Sequence, residues 1–137
     1  MPETLSDRQV LEFRLEDRLY CVDITHVSEI VDKEELTPLP NAEPHVEGVM
    51  DLRGTTTTIV NPKRVLDLDE TETGDRVVVL ESDADDANVG WLIDAVEEVV
   101  GIDGEAVDES VESGSVRGVV RRDDEFVVWV KPDEINE

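Results

Sequence analysis

His45-Val46-Glu47-Gly48-Val49-Met50-Asp51-Leu52-Arg53-Gly54, running on through Thr55-Thr56-Thr57-Thr58-Ile59-Val60 to Asn61-Pro62, decides how this chain of 137 residues folds. Apolar residues lead into a Leu52-Arg53-Gly54 turn, and the run after it is rich in β-branched side chains. The stretch therefore predicts two strands, 48–52 and 55–60, with one arginine presented between them. Asn61 is a good helix cap and Pro62 is preorganised for the first helical position, so a short helix follows. Working outward, the same unit recurs. Gly118 stands 70 residues after Gly48, and at that spacing Val49 meets Val119, Ile59 meets Trp129, Val60 meets Val130 and Pro62 meets Pro132. Val27-Ser28-Glu29-Ile30-Val31 matches Val96-Glu97-Glu98-Val99-Val100 at a spacing of 69. Two copies of one strand-rich unit follow.

In the first copy, 10–15 and 19–24 read as strands around the polar turn Glu16-Asp17-Arg18. Residues 25–31 read as one or two helical turns with Val27, Ile30 and Val31 on one face, and 36–40 as a proline-punctuated extended segment. In the second copy the strands are 76–81, 89–93, 116–121 and 126–130. The acidic stretch from Asp67 to Asp75 is the expected junction. This divides a single domain, 1–137, into a first barrel subdomain at 1–70 and a second at 75–137, with terminal strands free to cross over. No amphipathic stretch is long enough to serve as a crossover helix, so the fold class is mainly β, as two small barrels.

Asp and Glu number 36 against 12 Lys and Arg, a formal net charge of −24. Apolar residues make up 39% of the chain and fall in strand-length runs, which argues for a packed core and against disorder. The acids are spread over every segment, as on a solvated surface. At molar salt the screening length shrinks to about 3 Å and their mutual repulsion largely disappears, so the surface reads as that of an extreme halophile. Binding to nucleic-acid phosphates is excluded by the negative field, and a partner surface is expected to be mainly apolar.

Chemistry has little to work with. His26 and His45 are the only histidines, and neither neighbours a Ser or Cys in a nucleophile motif. Cys21, the sole cysteine, sits in a strand pattern and reads as buried; it excludes an internal disulfide and a cysteine-based zinc cluster. Asp83-Ala84-Asp85-Asp86-Ala87-Asn88 has the outline of a calcium loop, but Ala87 replaces a ligand and Asn88 the turn glycine, so it reads as an acidic hairpin loop. With no phosphate-cradling glycine loop either, no catalytic residue, metal site or cofactor is expected. The amino terminus lacks a signal-peptide layout and no apolar run approaches bilayer length, which predicts a cytoplasmic protein without membrane insertion.

The Gly48 to Gly54 segment resembles the Gly-Val-x-Asn-Leu-Arg-Gly signature of the CheW-like domain family, which includes chemotaxis adaptors and the regulatory domain of the chemotaxis histidine kinase. Tyr20 to Ile24, Val27 to Val31 and Leu36 to Ala42 resemble its first-half blocks in order and spacing. Val89 to Val99 resembles its second-half block, so the likeness runs from Gln9 to Ile135, and the acidic surface suggests a halophilic archaeal type. The resemblance implies two SH3-like five-stranded barrels. It also implies a scaffold for signal transduction in a two-component system, coupling chemoreceptor or transducer cytoplasmic tips to the regulatory domain of a CheA-type kinase at receptor arrays on the inner face of the membrane. Alternatives are a stand-alone kinase-regulatory domain and a ligand-binding accessory domain.

Partner-binding candidates implied by the resemblance are Val27, Glu29, Ile30, Leu52, Arg53 and Gly54. Glu29 and Arg53 equally suit a bidentate carboxylate–guanidinium brace across the turn, Gly54 and Gly48 suit backbone geometry, and Val27, Ile30 and Leu52 suit core packing. The chain departs from the family at Thr58, where many relatives carry proline, and at Asn61 and Lys131, where they carry aspartate. Lys131 is a weak cap, so a terminal helix is expected to be short, and kinase contacts near that end are the ones the departure touches.

Folding is expected to depend on salt. Circular dichroism melts from low to molar potassium chloride should show a steadily rising melting temperature, whereas a constant value would reject the halophile reading.

Overall fold

The computed structural model describes residues 8–68, 74–80, 88–102, 107–112, 114–122 and 125–136. The strands are β1 (Arg8–Leu15), β2 (Arg18–Asp23), β3 (Val27–Asp32), β4 (Val46–Leu52), β5 (Thr55–Val60) and β6 (Arg76–Leu80). They continue with β7 (Asn88–Ile93), β8 (Ala95–Ile102), β9 (Val107–Asp108), β10 (Val116–Arg122) and β11 (Glu125–Val130). Two short helices, α1 (Pro62–Val65) and α2 (Pro132–Asn136), each follow the last strand of a copy. Asn61 caps α1 by accepting from the Lys63 amide, with Pro62 in the first turn.

These strands form two sheets, β8-β1-β2-β11-β10-β9 and β3-β6-β7-β5-β4. The repeat survives in fine detail. β11 pairs with β2 in parallel, as β5 does with β7. Bulges fall between Val46 and Gly48 and between Val116 and Gly118. The register also skips Ser28 in β3 and, 69 residues later, Glu97 in β8.

At both bulges a glycine permits close backbone approach. A Cβ on Gly48 would lie 2.4 Å from the Thr37 carbonyl oxygen, and one on Gly118 would lie 2.8 Å from that of Asp108. Thr37 bridges to Val49 as Asp108 pairs with Val119, so each copy closes its last edge in the same way.

The sheets do not follow the division at 1–70 and 75–137. The β1–β2 hairpin joins second-half strands, and the β6–β7 hairpin joins first-half strands: the two copies have exchanged their first hairpins. The physical reason lies in the apolar runs. Leu19-Tyr20-Cys21-Val22 and Val77-Val78-Val79-Leu80 are buried throughout, as strands covered on both faces must be. One face of each hairpin enters its own sheet's core: Val10, Leu19 and Cys21 with Val127 and Trp129, or Val77, Val79 and Leu92 with Met50 and Ile59. The other faces meet in a central core of Leu11, Phe13, Leu15, Tyr20 and Val22 against Val78, Leu80, Trp91 and Ile93. Phe13 lies 6.2 Å from Tyr20 and 6.1 Å from Trp91 between ring centroids, so aromatic contact crosses from one sheet to the other.

Two elements differ from expectation. Residues 25–31 are not helical turns. A single 3-10 turn, Ile24–His26, is capped by the Asp23 carboxylate accepting from the Thr25 amide, and then β3 pairs with β6. Val27, Ile30 and Val31 are β-branched and gain ladder partners there; with Ser28 bulged out, Val27 and Ile30 pair with Leu80 and Val78 on the central-core face, and Val31 pairs with Val77 on the other. The repeat-related segment is likewise a strand, β8, and the acids interleaved in both hide their strand character. Residues 69–73 of the expected junction and the acidic loop at 83–87 lie outside the described residues. Cys21 is buried, His26 is exposed and His45 half-buried.

A buried lysine ties the exchanged parts together. The Lys63 side chain on α1 is 2% exposed, and its Nζ donates to Glu16 Oε2 at 2.6 Å and Asp94 Oδ1 at 3.0 Å. Asp94 Oδ2 accepts from the Glu16 amide at 2.6 Å, and the Asp94 amide donates to the Arg14 carbonyl at 3.1 Å. One cluster thus links α1, the β1–β2 turn and the β7–β8 turn. Burial opposes the ammonium charge, but the hydrogen bonds and charges of Glu16 and Asp94 outweigh it, and the Lys63 pKa rises above its ordinary 10.5. Because this pair is enclosed, molar salt screens it far less than a surface pair.

Replacing Lys63 with Met should cost about 2–4 kcal/mol, since it strands two carboxylates around an apolar tip. The folded pKa exceeds the unfolded one, so the cluster's contribution is complete below pH 10.5 and lost as pH rises through the folded value. Denaturant titrations from about pH 8 to about pH 12 should show a smaller alkaline loss in Lys63→Met than in the wild type. Equal losses would reject the cluster as a stabilising element.

Candidate functional site

The β4–β5 connection is a two-residue hairpin with Leu52 opposite Thr55. Both central residues have positive φ, 50° at Arg53 and 87° at Gly54, the pattern that matches a hairpin's right-handed twist. Gly54 meets this requirement at no steric cost, and nothing lies within 4 Å of where its Cβ would stand. Arg53 occupies a conformation disfavoured for a side-chain-bearing residue, which is where function is worth seeking. The turn is further held by the Gly54 amide donating to Asp51 Oδ1 at 3.0 Å.

From that tip Arg53 Nη2 reaches Glu29 Oε2 on β3 at 2.6 Å. β3 and β4 are the two outer strands of their sheet, so the pair spans from one edge to the turn that ends the other. The expected brace therefore exists, but through one nitrogen–oxygen contact and with Glu29 on a strand. The Arg53 side chain is 67% exposed and that of Glu29 34%, which leaves most of the guanidinium open to a partner.

Around this pair lies a hollow of about 260 Å³ lined by Ser28, Glu29, Leu52, Arg53, Val79 and Asn88, among others. Of the six candidate residues, Glu29, Leu52 and Arg53 are brought together there. Val27 packs against the central core, Ile30 is exposed on the same face of β3, and Gly54 serves the turn. Leu52 also packs against the core of its own sheet. Ser28, Val79 and Asn88 were not singled out from sequence. Ser28 is the bulged residue of β3, and its repeat counterpart Glu97 carries a different side chain, so composition held no signal for it.

Among the described residues no group of three or more His, Cys, Asp or Glu is placed to hold a metal ion, and no helix is long and apolar enough to cross a membrane. What the geometry offers is an exposed guanidinium, half-neutralised, on a rigid hairpin tip above a shallow hollow. That arrangement suits recognition between proteins.

Comparison with known proteins places these features. A family model described as CheW-like domain matches residues 9–137. "Chemotaxis protein CheW" of Thermotoga maritima is 26% identical over 141 residues, covering 100% of this chain and 93% of that protein. The protein of the same name from Treponema pallidum is 29% identical over 142 residues, covering 93% and 82%. Among solved structures, the scaffolding protein TtCheW from Thermoanaerobacter tengcongensis superposes with a TM-score of 0.81 at 23% identity, covering 96% of this chain and 88% of that one. Its fold is therefore that of this chain.

Since the Glu29–Arg53 pair is exposed, its contribution to stability should be small. A double-mutant cycle of Glu29→Ala and Arg53→Ala should give a coupling of about 0.2–1 kcal/mol, with each single variant within about 1 kcal/mol of wild type. A coupling above that range would assign Arg53 to bracing.

Proposed function

The chain belongs to the CheW-like domain family, and from that premise we propose that it is a chemotaxis scaffold coupling the cytoplasmic tips of chemoreceptors to the regulatory domain of a CheA-type histidine kinase. The chain itself is an adaptor and does no chemistry. One observation carries the reading: the family match spans nearly the whole chain, and the chain in turn spans most of the length of the chemotaxis proteins it resembles. Nothing is left over for a separate enzyme within it.

The architecture supports the role. Two units of the same fold present two separable surfaces, and a rigid link between two binding surfaces raises the effective concentration of one partner near the other. The open guanidinium of Arg53 is a natural contact for a carboxylate on either partner, with Glu29 holding it in place until then. Val27, Ile30, Leu52 and Gly54 belong to the proposed contact region through the same hairpin and edge strand. The site of action is the cytoplasmic face of the membrane, reached by binding receptors.

Purified at molar salt, the protein should bind a receptor signalling fragment and the kinase regulatory domain at once, and adding it should change receptor-controlled kinase autophosphorylation. Apolar contacts dominate when charge is screened, so binding should hold or strengthen as salt rises. Mutual competition of the two partners, or a steep loss of binding with added salt, would reject the two-surface scaffold.

A further inference from the structure

In the first unit two opposite charges close on each other, and in the second their counterparts do not. Glu47 on β4 and Arg64 on α1 pair at 3.4 Å, and Asn61 Nδ2 donates to the same Glu47 Oε2 at 2.8 Å. Seventy residues on from Glu47, Asn61 and Arg64 stand Arg117, Lys131 and Glu134. Lys131 turns instead to Glu112, its Nζ 2.8 Å from Oε2. Arg117 lies over the Trp129 ring, 4.8 Å from the centroid. Among the described residues, neither the Arg117 nor the Glu134 side chain makes a hydrogen bond or an ion pair.

Both line one hollow of about 250 Å³, together with Asp23, His26, Trp129 and Lys131. It sits where the exchange of hairpins is joined, since Asp23 and His26 come from the end of β2 and the turn after it, and the rest from the stretch between β10 and α2. Stacking on an aromatic face positions a guanidinium while leaving its N–H donors for another partner. Lys131 shares that cationic end: the Glu112 carboxyl is held below its usual range by its hydrogen bond to Lys131 first, and by the Arg117 charge as well. Asp23 is engaged by its own cap, Oδ1 accepting from the Thr25 amide at 3.0 Å and hydroxyl at 2.8 Å. Glu134 is then the carboxylate left to meet a ligand.

An unpaired arginine and an unpaired glutamate around one small hollow match a molecule that carries both charges. A simple anion would meet a chain of net charge −24, and a simple cation would find acids in every segment, so this hollow selects neither. A molecule without net charge escapes the overall field, and only a site with both signs complements it. The volume lies below the roughly 300–1,000 Å³ of pockets for drug-sized ligands, which restricts the occupant to a small metabolite. We propose that the hollow binds a compact zwitterion of the α-amino-acid class, its carboxylate on Arg117 and its ammonium on Glu134, over a floor made by Trp129. Occupied, it links β10 to α2 as the Glu47–Arg64 pair links β4 to α1. The site does not depend on the scaffold reading.

The test follows the indole N–H signals of Trp129 and Trp91 in the isotope-labelled full chain at molar potassium chloride. L-alanine is titrated against its two half-molecules, propionate and ethylammonium. L-alanine should move Trp129 saturably in the millimolar range and leave Trp91, which is 0% exposed in the central core, in place. Each half-molecule should bind at least about tenfold more weakly, because it leaves one charge of the hollow unmatched. Arg117→Gln and Glu134→Gln should each weaken L-alanine binding by about tenfold or more. Arg121→Gln, which removes an exposed arginine stacked on Phe126 elsewhere on β10, should change nothing. Melting curves identify a variant that does not fold, and Glu134→Gln, at an exposed position, carries the test if half-buried Arg117 does not tolerate replacement. No saturable shift with L-alanine, or equal affinity in the charge variants and the wild type, would overturn the site. Propionate or ethylammonium binding as tightly as L-alanine would overturn the choice of a zwitterion.

Discussion

Two hairpins that are apolar on both faces hold this molecule together. β1–β2 and β6–β7 each fill the core of a sheet with one face and meet each other with the opposite face, so the central core exists only when both sheets are complete. Each hairpin comes from the other half of the chain relative to most of its sheet. Neither unit can then be unfolded without stripping strands from the other, and the apolar area at stake is large against the small net stability of a domain this size. The Lys63 cluster sits where this exchange is joined and adds a directional, salt-resistant constraint to an otherwise non-directional core.

What the sequence made legible was local. The β4–β5 hairpin, its Arg53-Gly54 tip and the Asn61-Pro62 cap could be read because turn and capping chemistry depends on a few adjacent residues. The mainly β class and the two-copy organisation could be read because the repeat is ungapped from Gly48 to Pro62. A crossing of terminal strands could be allowed for, but the exchange of whole hairpins was hidden, since a hairpin placed in either copy satisfies the same pattern of apolar runs. β3 and β8 were hidden because Glu29, Asp32, Glu97 and Glu98 break the alternation that marks a strand. Lys63 gave no signal: a lysine next to an arginine in a short helix reads as surface, and only the fold shows two carboxylates from distant turns converging on it.

The site was half legible. Glu29 and Arg53 were paired from chemistry and family likeness, and they do meet, yet Val27 and Ile30 fall on the face opposite Glu29 once their segment is a strand bulged at Ser28. A periodicity error of this kind, 3.6 taken for 2, displaces side chains from a site while leaving the element in its place in the chain. It matters more for function than for fold.

Duplication gives one fold two related surfaces, and the side chains at equivalent places show how these differ. In the first unit the β4–β5 tip carries an exposed arginine held by a carboxylate. Seventy residues on from Asp51 and Thr56 stand Arg121 and Phe126, and there the Arg121 guanidinium lies 5.3 Å over the ring of a Phe126 that is 54% exposed. The strands flanking the turn thus carry an arginine over an aromatic ring where the first unit has an aspartate and a threonine. Similarly Glu47 and Arg64, which pair at 3.4 Å, have as counterparts Arg117 and Glu134, with the signs reversed and Arg117 stacked 4.8 Å over Trp129. Because the shared core fixes both units in one rigid body, these differences stay at constant separation and orientation. Two dissimilar surfaces at a constant spacing are the physical requirement for joining two different proteins, and a repeat held together by exchanged hairpins meets it without a linker.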